Sequence, residues 1–305
     1  MDPRTMTDAP TSGLRRHLVT VSGTQVEYLR AGDGPEVVLL HGLGESADDW
    51  RGLMTRLAPS YRLFAPTLPG YGDDRRGMRD GDGANGHAPD VVEDASPEAF
   101  ARFCNTFNTA KELRRPVLVG HSLGGLIALR AVLDRPDLWR ALVLVAPAGL
   151  GRRVSPALQA AALPLVGDVA ATVARSRAGA ALRAAGKGPL VFGRPWRVPP
   201  AWLLDQYRRA QDGRFMETTL RALRAQVGIS GQRRVMRDEL PALTLPTLLV
   251  WGTADRVVPV AHGRAAAAML PAGRLETLPR LGHVPQVEDP GRVAAVVRDF
   301  LASLP

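Results

Sequence analysis

The chain has 305 residues, 45% of them hydrophobic, and a formal net charge of +9. That is enough apolar material for the core of one α/β domain carrying an insertion, and too much for a disordered chain. The single cysteine, Cys104, excludes an intrachain disulfide framework.

Residues 1–13 read as a polar, Pro-containing tail, expected to be disordered. They lack the apolar run of a signal peptide, which sets a cytoplasmic expectation. Leu18–Val21 and Thr24–Leu29 flank Ser22-Gly23, a hairpin signal. Strand and helix patterns then alternate. A strand is expected at Val37–Leu40, a helix near Asp48–Leu57, and a strand at Arg62–Ala65. A helix near Pro97–Leu113 follows, with Phe100, Phe103, Cys104 and Phe107 at core spacing, so Cys104 reads as packing rather than as a reactive thiol. Next come a strand at Val117–Val119, an apolar helix over Gly125–Leu133 and a strand at Ala141–Val145. The pattern resumes with strands at Thr247–Trp251 and Arg274–Leu278 and closes on a helix from about Pro290 to Leu304. Such alternation implies a mostly parallel sheet with helices on both faces.

Two segments interrupt it. Residues 73–95 are rich in Gly and Asp and are expected to form a mobile surface loop. Residues 149–240 hold helical patterns at Ala157–Ala162, Val169–Ala185, Pro200–Gln211 and Phe215–Val227, separated by Pro and Gly. The expected organisation is a core of residues 14–148 and 241–305 with a helical lid over 149–240. The longest mainly apolar stretch, Pro156–Ala174, is broken by Pro164, Gly167 and Asp168 and fails as a transmembrane helix. The lid carries fifteen arginines and one lysine against four aspartates and two glutamates. Two readings stand: a solvated arginine surface, or a field that steers an anionic substrate, an acidic carrier protein or an anionic membrane surface toward a site. With no recognised binding motif, nucleic acid is not expected as a partner. Charge reversal at Arg208 and Arg209 is expected to flatten any steering.

Gly120-His121-Ser122-Leu123-Gly124 reads G-x-S-x-G, between a strand and a helix. In that context the pattern is a nucleophile elbow, a sharp turn that lifts the serine hydroxyl above the sheet. A serine hydroxyl needs a base, the base an orienting carboxylate, and the developing oxyanion donors. Asp255, in the turn after Thr247–Trp251, is the candidate acid; His283, after Arg274–Leu278, is the candidate base. Ligands of open α/β sheets gather at this C-terminal edge of the strands. The candidate oxyanion donors are the backbone N–H of Leu123 and, from His41-Gly42-Leu43-Gly44, that of Leu43, with Gly42 as the alternative. His41 reads as a hydrogen-bonder that shapes this loop. His121, Trp196, Trp202 and Val284 are candidate pocket residues, with Leu158, Leu163 and Phe192 as further apolar walls. The six histidines show no metal-ligand spacing, so neither a metal nor a cofactor is expected.

His41-Gly42-Leu43-Gly44, Leu68-Pro69-Gly70-Tyr71-Gly72, Gly120–Gly125, Trp251–Asp255 and Gly282-His283 together resemble the α/β-hydrolase superfamily, in its lid-bearing serine esterase and C–C hydrolase branch. The resemblance implies an eight-stranded, mostly parallel sheet flanked by helices, with a helical lid after the sixth strand. It also implies the chain order nucleophile, acid, base that Ser122, Asp255 and His283 follow. Related epoxide hydrolases and haloalkane dehalogenases carry an elbow aspartate, so Ser122 disfavours an alkyl-enzyme. C–C hydrolases differ at His121 and Val284, where they carry Asn and Trp. The expected activity is hydrolysis of a small carboxylic ester, anionic esters included, through an acyl-enzyme. The alternatives are C–C cleavage of a β-diketone-like substrate and a low-turnover ligand receptor on the same fold.

Overall fold

The computed structural model describes residues 13–72 and 92–305. The expected tail, apart from Gly13, and nearly all of the expected 73–95 loop lie outside those residues. The strands of the main sheet are β1 (Arg15–Val21), β2 (Thr24–Ala31), β3 (Glu36–Leu40), β4 (Arg62–Pro66), β5 (Val117–His121) and β6 (Ala141–Val145). After a small hairpin, β7 (Val227–Gly228) and β8 (Gly231–Gln232), the sheet continues with β9 (Thr247–Gly252) and β10 (Gly273–Leu278). The eight-stranded order is β1-β2-β4-β3-β5-β6-β9-β10. β1–β2 and β2–β4 pair antiparallel, and every other pair is parallel.

Side chains alternate across this sheet, as the two-residue strand period requires. Val37, Leu39, Val119, Val143 and Val250 face one way and meet Leu53 and Leu57 of α1 (Arg51–Leu57) and Val293, Val297 and Phe300 of α11 (Pro290–Ala302). Val38, Leu40, Leu118, Leu144 and Leu249 face the other way. They meet Phe100, Cys104 and Phe107 of α2 (Pro97–Ala110) and Leu126, Ile127 and Leu129 of α3 (Leu123–Asp134). Both faces are covered, which is why the inner strands read as continuous apolar runs.

Between β6 and β9 lie α4 (Pro156–Ala162), α5 (Val166–Ala174), α6 (Arg177–Val191), α7 (Pro200–Ala210) and α8 (Gly213–Gln226). The single helix expected over Val169–Ala185 is two. Ser176 ends the first run and caps the second, its Oγ accepting the Gly179 N–H at 3.0 Å. α4 and α5 meet at a bend of 94°, and among the described residues no single helix is long and apolar enough to cross a membrane. α9 (Val260–Ala267) follows β9, and α10 (Pro285–Glu288) follows β10.

The insertion is anchored to the core through a buried carboxylate. Asp49 accepts from Arg209 at 2.7 Å and from the Trp202 indole at 3.1 Å. Arg209 also donates to Ser46 Oγ at 2.8 Å and pairs with Asp205. Arg208 is exposed, whereas Arg209 is held inside the contact. Joint reversal of the two therefore cannot report steering alone, because a carboxylate at position 209 would face Asp49.

Candidate active site

The loop after β5 brings Ser122 to a backbone conformation with φ 50°, in the left-handed region that L-residues seldom adopt. Neighbouring strands pin it there. The Ser122 N–H donates to the Val145 carbonyl at 3.0 Å, and the Ser122 carbonyl accepts the Ala148 N–H at 2.9 Å. Glycine is required on either side. A Cβ on Gly120 would collide with the Gly124 carbonyl, and one on Gly124 with the Leu40 and His41 carbonyls. The strand, the helix and the end of β3 thus approach too closely for any side chain.

His283 lies on the loop after β10, its own N–H bonded to the Val191 carbonyl at the end of α6 at 2.7 Å. Its Nε2 stands 2.9 Å from Ser122 Oγ and its Nδ1 2.8 Å from an Asp255 oxygen. Asp255 sits in the turn after β9 with its side chain wholly buried. Its second oxygen accepts the Val257 and Val258 N–H groups at 2.8 and 2.9 Å, and Trp251 Nε1 donates to the first at 3.2 Å. Four donors therefore fix the carboxylate. Bonded to the imidazole at Nδ1, it favours the tautomer whose Nε2 can accept a proton from Ser122.

Leu123 opens α3, where the first amides of a helix have no intrahelical acceptor. Leu43 lies in the turn after β3, and its amide donates to no acceptor among the described residues. The loop holding Leu43 is shaped by His41, whose Nε2 accepts the Leu68 N–H at 3.0 Å while Nδ1 bonds the Gly42 carbonyl at 2.9 Å. Burial lowers the His41 pKa to about 4, so the ring is neutral.

His121 is fully buried and lies behind the serine rather than open to a cleft. Its Nε2 donates to the His283 carbonyl at 2.8 Å, and its Nδ1 stands 2.9 Å from Glu45. The same Glu45 oxygen accepts the Gly42 N–H at 2.9 Å. One buried pair therefore ties together the loop after β3, the elbow and the His283 loop. Burial alone would lower the His121 pKa, but the adjoining Glu45 carboxylate raises it above its usual value. Burial would raise Glu45, yet the His121 charge and hydrogen bond, with Lys187 beyond, hold it well below the carboxylate range. Val284 is buried beside His283; Trp202 is buried between insertion and core, edge-on to Phe192; Trp196 is 80% exposed.

Sequence reading missed several residues here. Glu45 follows the His41–Gly44 loop, a position that offered a signal. Glu288 offered none: its buried carboxylate accepts the N–H groups of Gly193, Arg194 and Gly282 at 2.8 to 3.0 Å, clamping the end of the insertion to the His283 loop. Lys187 donates to the Gly44 carbonyl at 3.0 Å and to Gln206 at 2.6 Å. Burial, and then the Arg183 charge, lower its pKa to about 8. Among the described residues no cluster of three or more His, Cys, Asp or Glu could hold a metal ion.

The chain is similar to known proteins over most of its length. An uncharacterised protein of Mycobacterium tuberculosis is 29% identical over 92% of this chain and 80% of its own length. The pimeloyl-[acyl-carrier protein] methyl ester esterase of Aeromonas salmonicida is 30% identical over 90% of this chain and 99% of its own. Among solved structures, an esterase from Rhodococcus sp. ECU1013 superposes with a TM-score of 0.71 at 25% identity, over 96% of this chain and 100% of that one. The model of the alpha/beta hydrolase family matches residues 37–296, spanning the elbow, Asp255 and His283, and the chain belongs to that family.

Proposed function

We propose that the protein is a serine hydrolase that cleaves a carboxylic ester through an acyl-enzyme. The observation that carries this reading is the unbroken chain from Ser122 Oγ to His283 at 2.9 Å and on to Asp255 at 2.8 Å. In this mechanism His283 Nε2 takes the Ser122 proton as Oγ attacks the ester carbonyl. The Leu43 and Leu123 amides receive the oxyanion. His283 then gives its proton to the leaving alcohol, and the same groups activate water to release the acid. Asp255 holds the imidazole and stabilises its charge without taking a proton. The α4–α8 insertion acts as a lid over this site. The esterase names of the Aeromonas and Rhodococcus relatives support the ester over other acyl compounds.

The test is a fluorophosphonate probe with p-nitrophenyl butyrate as substrate. Labelling is expected at Ser122 alone, and Ser122→Ala should lower kcat by about 10⁴-fold or more, since the three residues act as a unit. Ester turnover surviving in that variant within about tenfold of the parent, or turnover of a β-diketone in place of esters, would overturn the reading.

A further inference from the structure

α6 is the part of the insertion that touches both sides of the candidate site. At its C-terminal end the Val191 carbonyl accepts the His283 N–H. One turn back, Lys187 donates to the Gly44 carbonyl, next to Leu43. One turn further, Arg183 lies on the same face, as residues four apart do. A Cβ placed on Gly44 would lie 3.8 Å from Arg183 Nη2, so the guanidinium stands directly over the loop after β3.

The partners of this arginine distinguish it. Three other partly buried arginines of the insertion hold carboxylates: Arg194 pairs with Glu288, Arg209 with Asp49 and Asp205, and Arg224 with Asp168. Arg183 is partly buried too, yet among the described residues it has neither an ion pair nor a hydrogen bond. The acids around Lys187, one turn along, are already engaged, Glu45 with His121 and Asp49 with Arg209. A guanidinium withdrawn from water without a partner is unfavourable. It presents a rigid fork of donors suited to a carboxylate, which it can bind through two parallel bonds.

We propose that Arg183 is an anion subsite of the cleft, and that the preferred substrates are half-esters of dicarboxylic acids. Their free carboxylate sits on the Arg183 guanidinium while the ester carbonyl reaches Ser122. Lys187 adds positive potential but is spent on Gly44 and Gln206, which leaves the two-pronged contact to Arg183. This inference rests on the proposed esterase reading for the identity of the reacting end, but the charge preference can be measured without turnover.

The experiment uses the full chain carrying Ser122→Ala, with monomethyl and dimethyl esters of succinate, glutarate, adipate and suberate as ligands in calorimetry at about 150 mM salt, where long-range steering is screened. For the chain length that spans the site, the monomethyl ester should bind about tenfold or more tightly than the dimethyl ester. Adding Arg183→Gln should bring that ratio close to one, and Arg183→Lys should restore part of it. Arg208→Gln, at an exposed arginine outside the site, should leave the ratio unchanged. Equal binding of the two esters at every length, or a preference that persists in Arg183→Gln, would overturn the proposal. The same double variant must bind the dimethyl ester, which shows that it is folded. If it does not, the ratio is read from Arg183→Lys against the Ser122→Ala parent, and an unchanged ratio there would overturn the proposal as well. Turnover of p-nitrophenyl butyrate by the parent enzyme reports the esterase reading separately. A charge preference without turnover would sink that reading alone, and turnover without a charge preference would sink this one alone.

Discussion

His41 and His121 are both fully buried, yet their surroundings drive their protons in opposite directions. His41 faces a backbone N–H that needs an acceptor, and burial takes its pKa from 6.5 to about 4. The folded state thus binds this proton less readily than the unfolded state does, so stability present above pH 6.5 is lost as the pH falls toward 4. The 2.5-unit difference corresponds to about 3 kcal/mol. In urea denaturation between pH 7 and pH 4, His41→Gln, which keeps an acceptor but cannot titrate, should lose less stability than the parent by about that amount. His121 is the opposite case. Glu45 raises its pKa, so its contribution is complete below pH 6.5 and is lost as the pH rises through the raised value. The stability advantage of the parent over His121→Asn should therefore shrink between pH 6 and pH 9; an advantage that grew over this range would show that His121 is neutral. At Asp255 the test is catalytic. Asp255→Asn should lower ester turnover by about 10³–10⁴-fold by favouring the other imidazole tautomer. Asp137→Asn, at an exposed surface pair with Arg135, should leave turnover unchanged.

At the scale of elements, α7 carries the hold of the insertion on the core. Arg209 and Trp202 converge from one of its faces on Asp49, which belongs to the turn before α1. Removing one partner of a buried pair leaves an uncompensated charge, so Arg209→Met should cost about 3–5 kcal/mol in denaturation. Arg208→Met, one residue along and exposed, should change stability by less than about 0.5 kcal/mol. Equal effects would mean that Asp49 is not the anchor. The helical period showed α7 and α8 in the sequence, because each has one apolar face. It failed between α5 and α6, where alanine-rich sequence continues through the break. Only the cap at Ser176 and the close passage of Gly179 under the Val173 carbonyl end the first helix there.

For the whole molecule, the question is whether the excess positive charge of the insertion acts at a distance. Arg175, Arg177 and Arg208 are exposed, so their field reaches solvent. Raising salt from about 10 mM to about 150 mM shortens the Debye length from about 30 Å to about 8 Å. If the surface steers substrate, kcat/KM for an anionic ester should fall over that range while a neutral ester of equal length changes little. Reversing Arg175, Arg177 and Arg208 to Glu should flatten the anionic slope. Equal salt responses for the two esters would leave these arginines as a solvated surface, and the proposed Arg183 contact, which acts within hydrogen-bond range, would be unaffected by that result.

The sequence by itself determined the α/β class, the strand-turn-helix context of Ser122 and the placing of Asp255 and His283 after strands. These are local properties: buried parallel strands need continuous apolar runs, and the elbow needs glycines where backbones meet. The tertiary structure decided what depends on contacts far apart in the chain. Glu45 and His121 are 76 residues apart, Arg209 and Asp49 are 160 apart, and neither pairing leaves a period or a motif. The arginines of the insertion likewise read as a single charge in the sequence. Packing set apart exposed residues such as Arg208, residues that hold buried carboxylates such as Arg194 and Arg209, and Arg183, because the low-dielectric contact between insertion and core makes the presence or absence of a partner decisive.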